Sequence, residues 1–406
     1  MTMDNSRIAE RAQALTPELI AWRRRIHRYP ELSFQEVETA KLVASELDRT
    51  LGISVRVEVG GTGVIGTLSA GSGAHIALRA DMDALPILEG NLCDYRSQNP
   101  GVMHACGHDA HTAILLGATR LLAMEAEAGN LSGTVTFLFQ PAEEKQGADG
   151  LTGALRMIED GALDGVEAVL ALHMNPELPY GAVLLNDGYT MASIDTFQGH
   201  LYGTGGHGAY PHLGVDPTWI LLPVLQSIYG IVPRRVSPLE PAVISIGQIH
   251  AGTASNIIPS EVFIQGTIRS YAPEVREQLI SELERSFSLA TTLGGSYRLQ
   301  VERGEPVLNN DAGMNDSIRG VVQDLFPRFE IHSGPFGMGA EDFSHMTERV
   351  PGAMFFLGCS LDDGIKRNLH TPFFDLDERC LAAGAAILAE TAKRFLNVSA
   401  AEGKAK

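Results

Sequence analysis

The segment Met103-His104-Ala105-Cys106-Gly107-His108-Asp109-Ala110-His111 crowds three histidines, a cysteine and an aspartate together. Thiolate and imidazole are the standard ligands of zinc and similar ions. Gly107 lets the backbone fold so that Cys106 and His108 can face one ion. A second segment, Phe139-Gln140-Pro141-Ala142-Glu143-Glu144, places two adjacent carboxylates directly after an apolar run. Neighbouring side chains on extended backbone point apart, so one carboxylate can bind metal while the other reaches a water on that metal. A third, Ala80-Asp81-Met82-Asp83-Ala84-Leu85-Pro86, sets Asp81 and Asp83 on one face. His173 ends the apolar run 168–172, and His370 lies in Asn368-Leu369-His370-Thr371-Pro372.

These groups are far apart in the chain, so elements must bring them together. Thr16-Pro17-Glu18 reads as an N-cap, a first-turn proline and an early acid, opening a helix that stops at Pro30. A second helix fits 35–51, ended by Gly52. Strands fit 55–59, 63–68, 76–80, 134–139 and 168–173; helices fit 109–128 and 151–160. Strands alternating with helices predict a layered α/β/α domain. In such a sheet the carboxyl ends of the strands converge on one crevice. Most of the chemistry-bearing residues follow a strand, which would collect them there.

The texture changes near Asp187-Gly188. Strands at 194–202, 243–249, 262–270 and 297–302, with helices at 216–231 and 273–290, follow the β-α-β-β-α-β order of a ferredoxin-like α+β domain. From about residue 307 the first texture returns and closes on an amphipathic helix at 377–396. The expected organisation is a first catalytic part at 1–187, an inserted domain at 188–304 and a second catalytic part at 305–406.

Composition narrows the function. The chain has 406 residues, 44% of them hydrophobic, and a net charge of −18. That charge argues against nucleic-acid binding, which needs a basic face. Four cysteines in so long a chain do not make a disulfide framework, so a reduced, cytoplasmic setting is expected. The polar start MTMDNSRIAERAQ has no apolar core of a signal peptide, and no apolar run reaches membrane-spanning length. The end, NVSAAEGKAK, reads as a frayed tail.

Taken in order, the motifs resemble the M20 family of metallopeptidases and aminoacylases. The resemblance is strongest to the branch of hippurate hydrolase, N-acyl-amino-acid amidohydrolases and auxin-conjugate hydrolases. It is carried by Arg24-Arg25-Ile26-His27, by Tyr29 to Phe34 with Glu36, and by Ala80 to Pro86, Met103 to His111 and Gln140 to Glu144. Gly205-Gly206-His207 with Pro211-His212, Ala254 to Pro259, Gly266 to Arg269 and Gly339 to Phe343 complete it. The Cys-Gly-His-Asp and Pro-Ala-Glu-Glu pair is the most specific part.

The resemblance implies a dinuclear amidohydrolase acting on N-acyl-L-amino acids, with two divalent ions (Zn, Mn, Co or Ni) per subunit. The implied metal ligands are Cys106, His108, Glu144, His173 and His370. Cys106 would stand where most of the wider family has a bridging aspartate. Glu143 would be the general base and Asp83 would support the ligands from behind. His207, from a partner subunit's lid, would stabilise the oxyanion, and Asn256 and Arg269 would hold the substrate carboxylate. The inserted domain would be the lid and the dimerisation surface, with Gly205-Gly206 and Asp187-Gly188 as flexible points. A homodimer or higher oligomer, a small acyl amino acid or short peptide as partner, and no membrane are expected. Two alternatives stay open: a dipeptidase or carboxypeptidase on the same site, and an inactive metal-binding homologue. One departure from the pattern is the longer, polar run 144–153 after the Glu-Glu pair, which bears on substrate preference.

Overall fold

Buried strands and helices organise the chain into two compact units, and the computed structural model describes residues 3–403. The first unit comprises Met1–Gly188, Asn309–Phe336 and His345–Lys406. The second comprises Tyr189–Leu308 and Gly337–Ser344.

The first unit is built on a mixed eight-stranded sheet. Its spatial order is Ile53–Val59, Gly63–Ser69, Thr134–Gln140, His75–Asp81, Ala168–Pro179, Gly352–Ser360, Ala182–Leu185 and Glu330–Ser333. The central strands Thr134–Gln140, His75–Asp81, Ala168–Pro179 and Gly352–Ser360 run parallel. Thr134–Gln140 has the sequence TVTFLFQ and is buried at every position after the first. β-Branched and aromatic residues without alternation are what a strand covered on both faces requires. The helix His108–Glu127 is buried nearly all round. It packs against the helices Thr16–Arg28 and Arg379–Gly403 and against the sheet.

Parallel direction has a direct consequence. His75–Asp81 and Thr134–Gln140 carry the residues that follow them, Met82 to Pro86 and Pro141 to Glu144, towards one end of the sheet, and His173, inside Ala168–Pro179, lies at that level. The loop entering the helix His108–Glu127 arrives beside them.

Several expectations shift. Thr16 does not cap its helix: Leu15 is itself right-handed helical, and the Thr16 hydroxyl donates to the Gln13 carbonyl at 2.8 Å. The reason is that a helix not foreseen in the sequence, Met3–Ala14, runs straight into it. That segment looks polar, yet Ile8 and Ala12 are buried and Arg11 pairs with Glu125 at 2.6 Å. The run read as a frayed tail continues the last helix to Gly403; its final three residues lie outside the described ones. The short strands Ala182–Leu185 and Glu330–Ser333 gave no sequence signal, because four residues are too few to show a period.

The second unit is an antiparallel four-stranded sheet ordered Ala242–Ala251, Glu261–Ser270, Ser193–Tyr202, Ser296–Arg303. The helices Pro217–Arg235 and Pro273–Thr292 share its core. Ser193–Tyr202 alternates buried and half-buried at every residue, the signature of a sheet covered on one face. At Gly199 a Cβ would come within 2.2 Å of the Phe287 ring, so only glycine lets that ring lie on the sheet. Strand order and helix placement are those of the ferredoxin-like α+β fold. Among the described residues, no helix is long and apolar enough to cross a membrane.

Candidate metal centre

At the end of the parallel strands the first unit gathers Cys106, His108, Glu143, Glu144, His173 and His370. Ligand atoms of Cys106, His108 and His173 lie within 4.8 Å of one another, and so do those of Cys106, Glu144 and His370. Cys106 belongs to both groups. A third group joins His108 to Glu143 and Glu144. The sulfur of Cys106 is 3.5 Å from His173 Nε2, and Glu144 Oε1 is 3.1 Å from His370 Nε2.

Local backbone places each of these side chains. Gly107 has φ +94 and precedes the helix His108–Glu127, so Cys106 and His108 flank a left-handed turn. A Cβ there would meet the Met174 side chain at 2.9 Å. His370 also sits in the left-handed region, at φ +59, and its amide donates to the Ala105 carbonyl at 2.8 Å. A non-glycine residue held there is strained and needs its surroundings to hold it. The bond to Ala105 ties the His370 loop to the Cys106 loop, although 264 positions of sequence order separate them (370 minus 106).

The tautomers follow from the partners. His108 Nδ1 lies 2.8 Å from the Asp83 carbonyl oxygen and His173 Nδ1 2.8 Å from the Met174 carbonyl oxygen. A carbonyl only accepts, so both Nδ1 atoms carry a hydrogen and both Nε2 atoms face the cluster. His111 differs. Its Nδ1 donates to Asp81 at 2.7 Å, and its Nε2 accepts the Met174 amide at 2.9 Å. Both nitrogens are committed, so His111 supports the site without being a ligand.

Charge in the cluster calls for a cation. Burial alone would strip His108 of its proton, but Asp81, Asp83 and Glu144 outweigh it and raise its pKa to about 10. His173 goes the other way: burial, then the nearby histidines, hold it neutral. His108 Nε2 and Glu144 Oε1 are both buried without a hydrogen-bond partner, the 3.1 Å contact of Glu144 with His370 lacking hydrogen-bond geometry. An imidazole nitrogen and a carboxylate oxygen buried without a hydrogen-bond partner, beside a thiol and a second imidazole, fit divalent metal ions of intermediate softness.

Asp83 is fully buried and holds the second segment. Its Oδ1 and Oδ2 accept the amides of Glu143 and Glu144 at 3.1 and 3.0 Å, and Ser33 donates at 2.7 Å. Around the helix start, Arg23 Nε and His27 Nδ1 bond Asp109 Oδ2 at 2.8 and 2.7 Å. Burial opposes ionisation of Asp109, but Arg23 and His27 hold its carboxyl far below the usual range. Arg79 joins Asp81 to Gln140 at 2.8 Å each. Sequence reading did not assign roles to Ser33, Arg79, His111 or Gln140. Their presence in the segments 29–34, 80–86, 103–111 and 140–144 was the signal, except for Arg79, which lies just outside them. The polar run after Glu144 is braced by Arg156, which bonds Asp149 at 2.9 Å and covers the Phe34 ring at 4.1 Å.

His207, Asn256 and Arg269 belong to the second unit. His207 and Asn256 are neighbours: Gly206–His207 pairs with Ile257–Ile258, and the Gly208 amide donates to the Asn256 carbonyl at 2.9 Å. Both are exposed. His207 Nδ1 accepts the Ala209 amide at 3.0 Å, which leaves the hydrogen on Nε2. Arg269 stands elsewhere in that unit, on Glu261–Ser270, and one guanidinium nitrogen donates to the Met338 carbonyl at 2.8 Å.

Comparison with known proteins agrees with this chemistry. The model of peptidase family M20/M25/M40 matches residues 77–394. The N-acetyl-L-cysteine deacetylase of Bacillus subtilis (strain 168) is 39% identical, over 94% of this chain and 89% of its own. IAA-amino acid hydrolase ILR1-like 2 of Arabidopsis thaliana is 36% identical, over 96% and 89%. The crystal structure of Bacillus subtilis YXEP protein, described as a dinuclear metal binding peptidase of the M20 family, is 32% identical. It superposes with a TM-score of 0.82 over 95% of this chain and 99% of that one. A thiol, imidazoles and carboxylates converging at the ends of parallel strands thus belong to a metal-dependent amidohydrolase, and the chain is a member of peptidase family M20/M25/M40.

Proposed function

We propose that this chain hydrolyses the amide bond of N-acyl-L-amino acids, hippurate-like or acetyl-amino-acid compounds, with two divalent ions in each subunit. The observation that carries the reading is the shared position of Cys106 in two ligand groups, one with His108 and His173, the other with Glu144 and His370. A thiolate common to two ligand sets would let the cluster hold two ions side by side. Bound ions would acidify a water towards neutral pH and draw charge from the amide carbonyl. Zinc, manganese, cobalt and nickel all suit this donor set.

The chain's own groups do the rest. Glu143 takes the proton of the attacking water and returns it to the leaving nitrogen. His207, reaching the site from a partner subunit's lid with its hydrogen on Nε2, donates to the developing oxyanion. Arg269 and Asn256 receive the free carboxylate, which fixes the orientation of the scissile bond. The inserted segment 188–304 acts as lid and dimerisation domain of a cytoplasmic homodimer or higher oligomer. The names of the N-acetyl-L-cysteine deacetylase and the IAA-amino acid hydrolase support an acyl amino acid as substrate, while relatives named thermostable carboxypeptidases support the peptide alternative.

The test is a hydrolysis screen. Enzyme reconstituted separately with Zn, Mn, Co and Ni is offered N-acetyl and N-benzoyl amino acids alongside free-amine dipeptides. Cleavage of the acyl compounds is expected. Cleavage of dipeptides alone would move the assignment to a dipeptidase. One metal per chain and no turnover on any compound would mark an inactive homologue.

A further inference from the structure

Three consecutive amides, those of Ala142, Glu143 and Glu144, donate into two buried carboxylates. Asp83 takes the last two. The first goes to Glu36, whose Oε1 accepts the Ala142 amide at 2.8 Å and also the Phe34 amide at 3.0 Å. Thr62 donates its hydroxyl to the other oxygen of Glu36. Glu36 is completely buried and precedes the helix Val37–Asp48.

The two amides on Glu36 Oε1 share a second property. Phe34 has φ +62 and Ala142 has φ +46. Both are non-glycine residues in the left-handed region, which the backbone avoids unless something holds it there. Ala142 is the residue that turns the chain out of the strand Thr134–Gln140 and into Glu143-Glu144. The turn has no slack behind it. A Cβ on Gly153 would fall 1.6 Å from the Pro141 carbonyl oxygen, and a Cβ on Gly63 2.9 Å from Pro141 Cδ. The Gly153 amide donates to the Ala142 carbonyl at 2.9 Å.

We propose that Glu36 is a positioning residue for the hydrolytic centre: its carboxylate holds Ala142 in the left-handed conformation that presents Glu143 and Glu144. Asp83 fixes the two amides that follow, so the whole turn hangs on acceptors that are rigid because they are buried. A shift of about 1 Å in a group that moves a proton is enough to lower turnover by roughly a hundredfold. The inference rests on the roles proposed above for Glu143 and Glu144.

The experiment compares Glu36→Gln, Glu36→Asp and Glu36→Ala in the full chain reconstituted with metal. Bound metal is measured by elemental analysis, and kcat and KM are expressed per metal-loaded chain on an N-acyl amino acid. Glutamine keeps the length and an oxygen able to accept both amides, and its NH2 can donate to Thr62. Aspartate is one methylene too short. Glu36→Gln should keep kcat within about threefold, whereas Glu36→Asp and Glu36→Ala should lose roughly ten- to a hundredfold in kcat with KM nearly unchanged. A merely structural role would lower the folded, metal-loaded fraction and leave kcat per loaded chain intact. That result, or a Glu36→Gln variant as slow as Glu36→Asp, would overturn the proposal. The Gln and Asp variants decide it even where Glu36→Ala does not fold. Glu143→Gln is measured in parallel. If it turns over normally, the general-base reading fails and the positioning role fails with it; if it is slow while Glu36→Asp is fast, only the role of Glu36 is lost.

Discussion

The backbone carbonyl of Asp83 accepts the Nδ1 hydrogen of His108 at 2.8 Å, and that bond decides which nitrogen of His108 is left for a metal. The Asp83 side chain holds the amides of Glu143 and Glu144 as well. Removing that side chain should therefore disturb two parts of the site at once. Asp83→Ala is expected to bind metal roughly 10- to 100-fold more weakly, the usual effect of deleting a group behind a ligand. Competition against a chelator of known affinity measures this; an unchanged affinity would show that the ligands orient themselves without it.

Chemistry and metal retention should separate at Glu143. Glu143→Gln preserves shape and hydrogen-bonding reach but cannot take a proton. Turnover should drop by at least about a hundredfold, the scale of general-base catalysis, while metal content stays at the wild-type level. Full activity with full metal occupancy would rule Glu143 out as the base.

Cys106 contributes to both ligand groups. Cys106→Ser keeps the volume approximately but replaces a soft thiolate with a hydroxyl, a much poorer ligand. Less metal should survive dialysis, with loss of at least one ion per chain. Elemental analysis returning the wild-type stoichiometry would contradict a ligand role for Cys106.

Protons and metal should compete at His108. Its pKa in the folded, metal-free chain is about 10, against an ordinary 6.5. Burial works against the charge, but Asp81, Asp83 and Glu144 more than offset it. The folded state thus holds a proton in that window that the unfolded state has lost, so this contribution is complete below pH 6.5 and vanishes as pH rises through about 10. The melting temperature of chelator-treated protein should fall across that interval. Metal must displace the same proton, so apparent metal affinity should climb with pH by up to about tenfold per unit. A metal affinity flat with pH would show that His108 is neutral before the metal arrives.

Arg269 offers a planar fork that lysine cannot copy, and one of its nitrogens is already anchored on the Met338 carbonyl. Arg269→Lys should raise KM for an N-acyl amino acid and matter little for the analogue whose carboxylate is an amide. A bidentate charged hydrogen bond contributes about 1.5–3 kcal/mol, so the acid should lose roughly ten- to a hundredfold more in kcat/KM. Equal losses on both substrates would place the effect in the fold of the second unit and end the carboxylate-clamp assignment.

What the sequence determined by itself was everything that repeats at short range. Alternation along 194–202, the buried run 134–139 and the close spacing of Cys106, His108, Glu143 and Glu144 are local properties, and local rules of strand and ligand geometry read them. The tertiary structure decided what depends on atoms far apart in the chain. His108, His111 and His173 are chemically alike in sequence. Only the packed structure gives His111 two partners, Asp81 and the Met174 amide, and turns Nε2 of His108 and of His173 inward. Glu36 looks like one more acid at the start of a helix until Ala142, 106 positions further on, lays its amide against it. A hydrogen bond depends on direction and on the exclusion of water, and neither exists until the sheet has closed around the site.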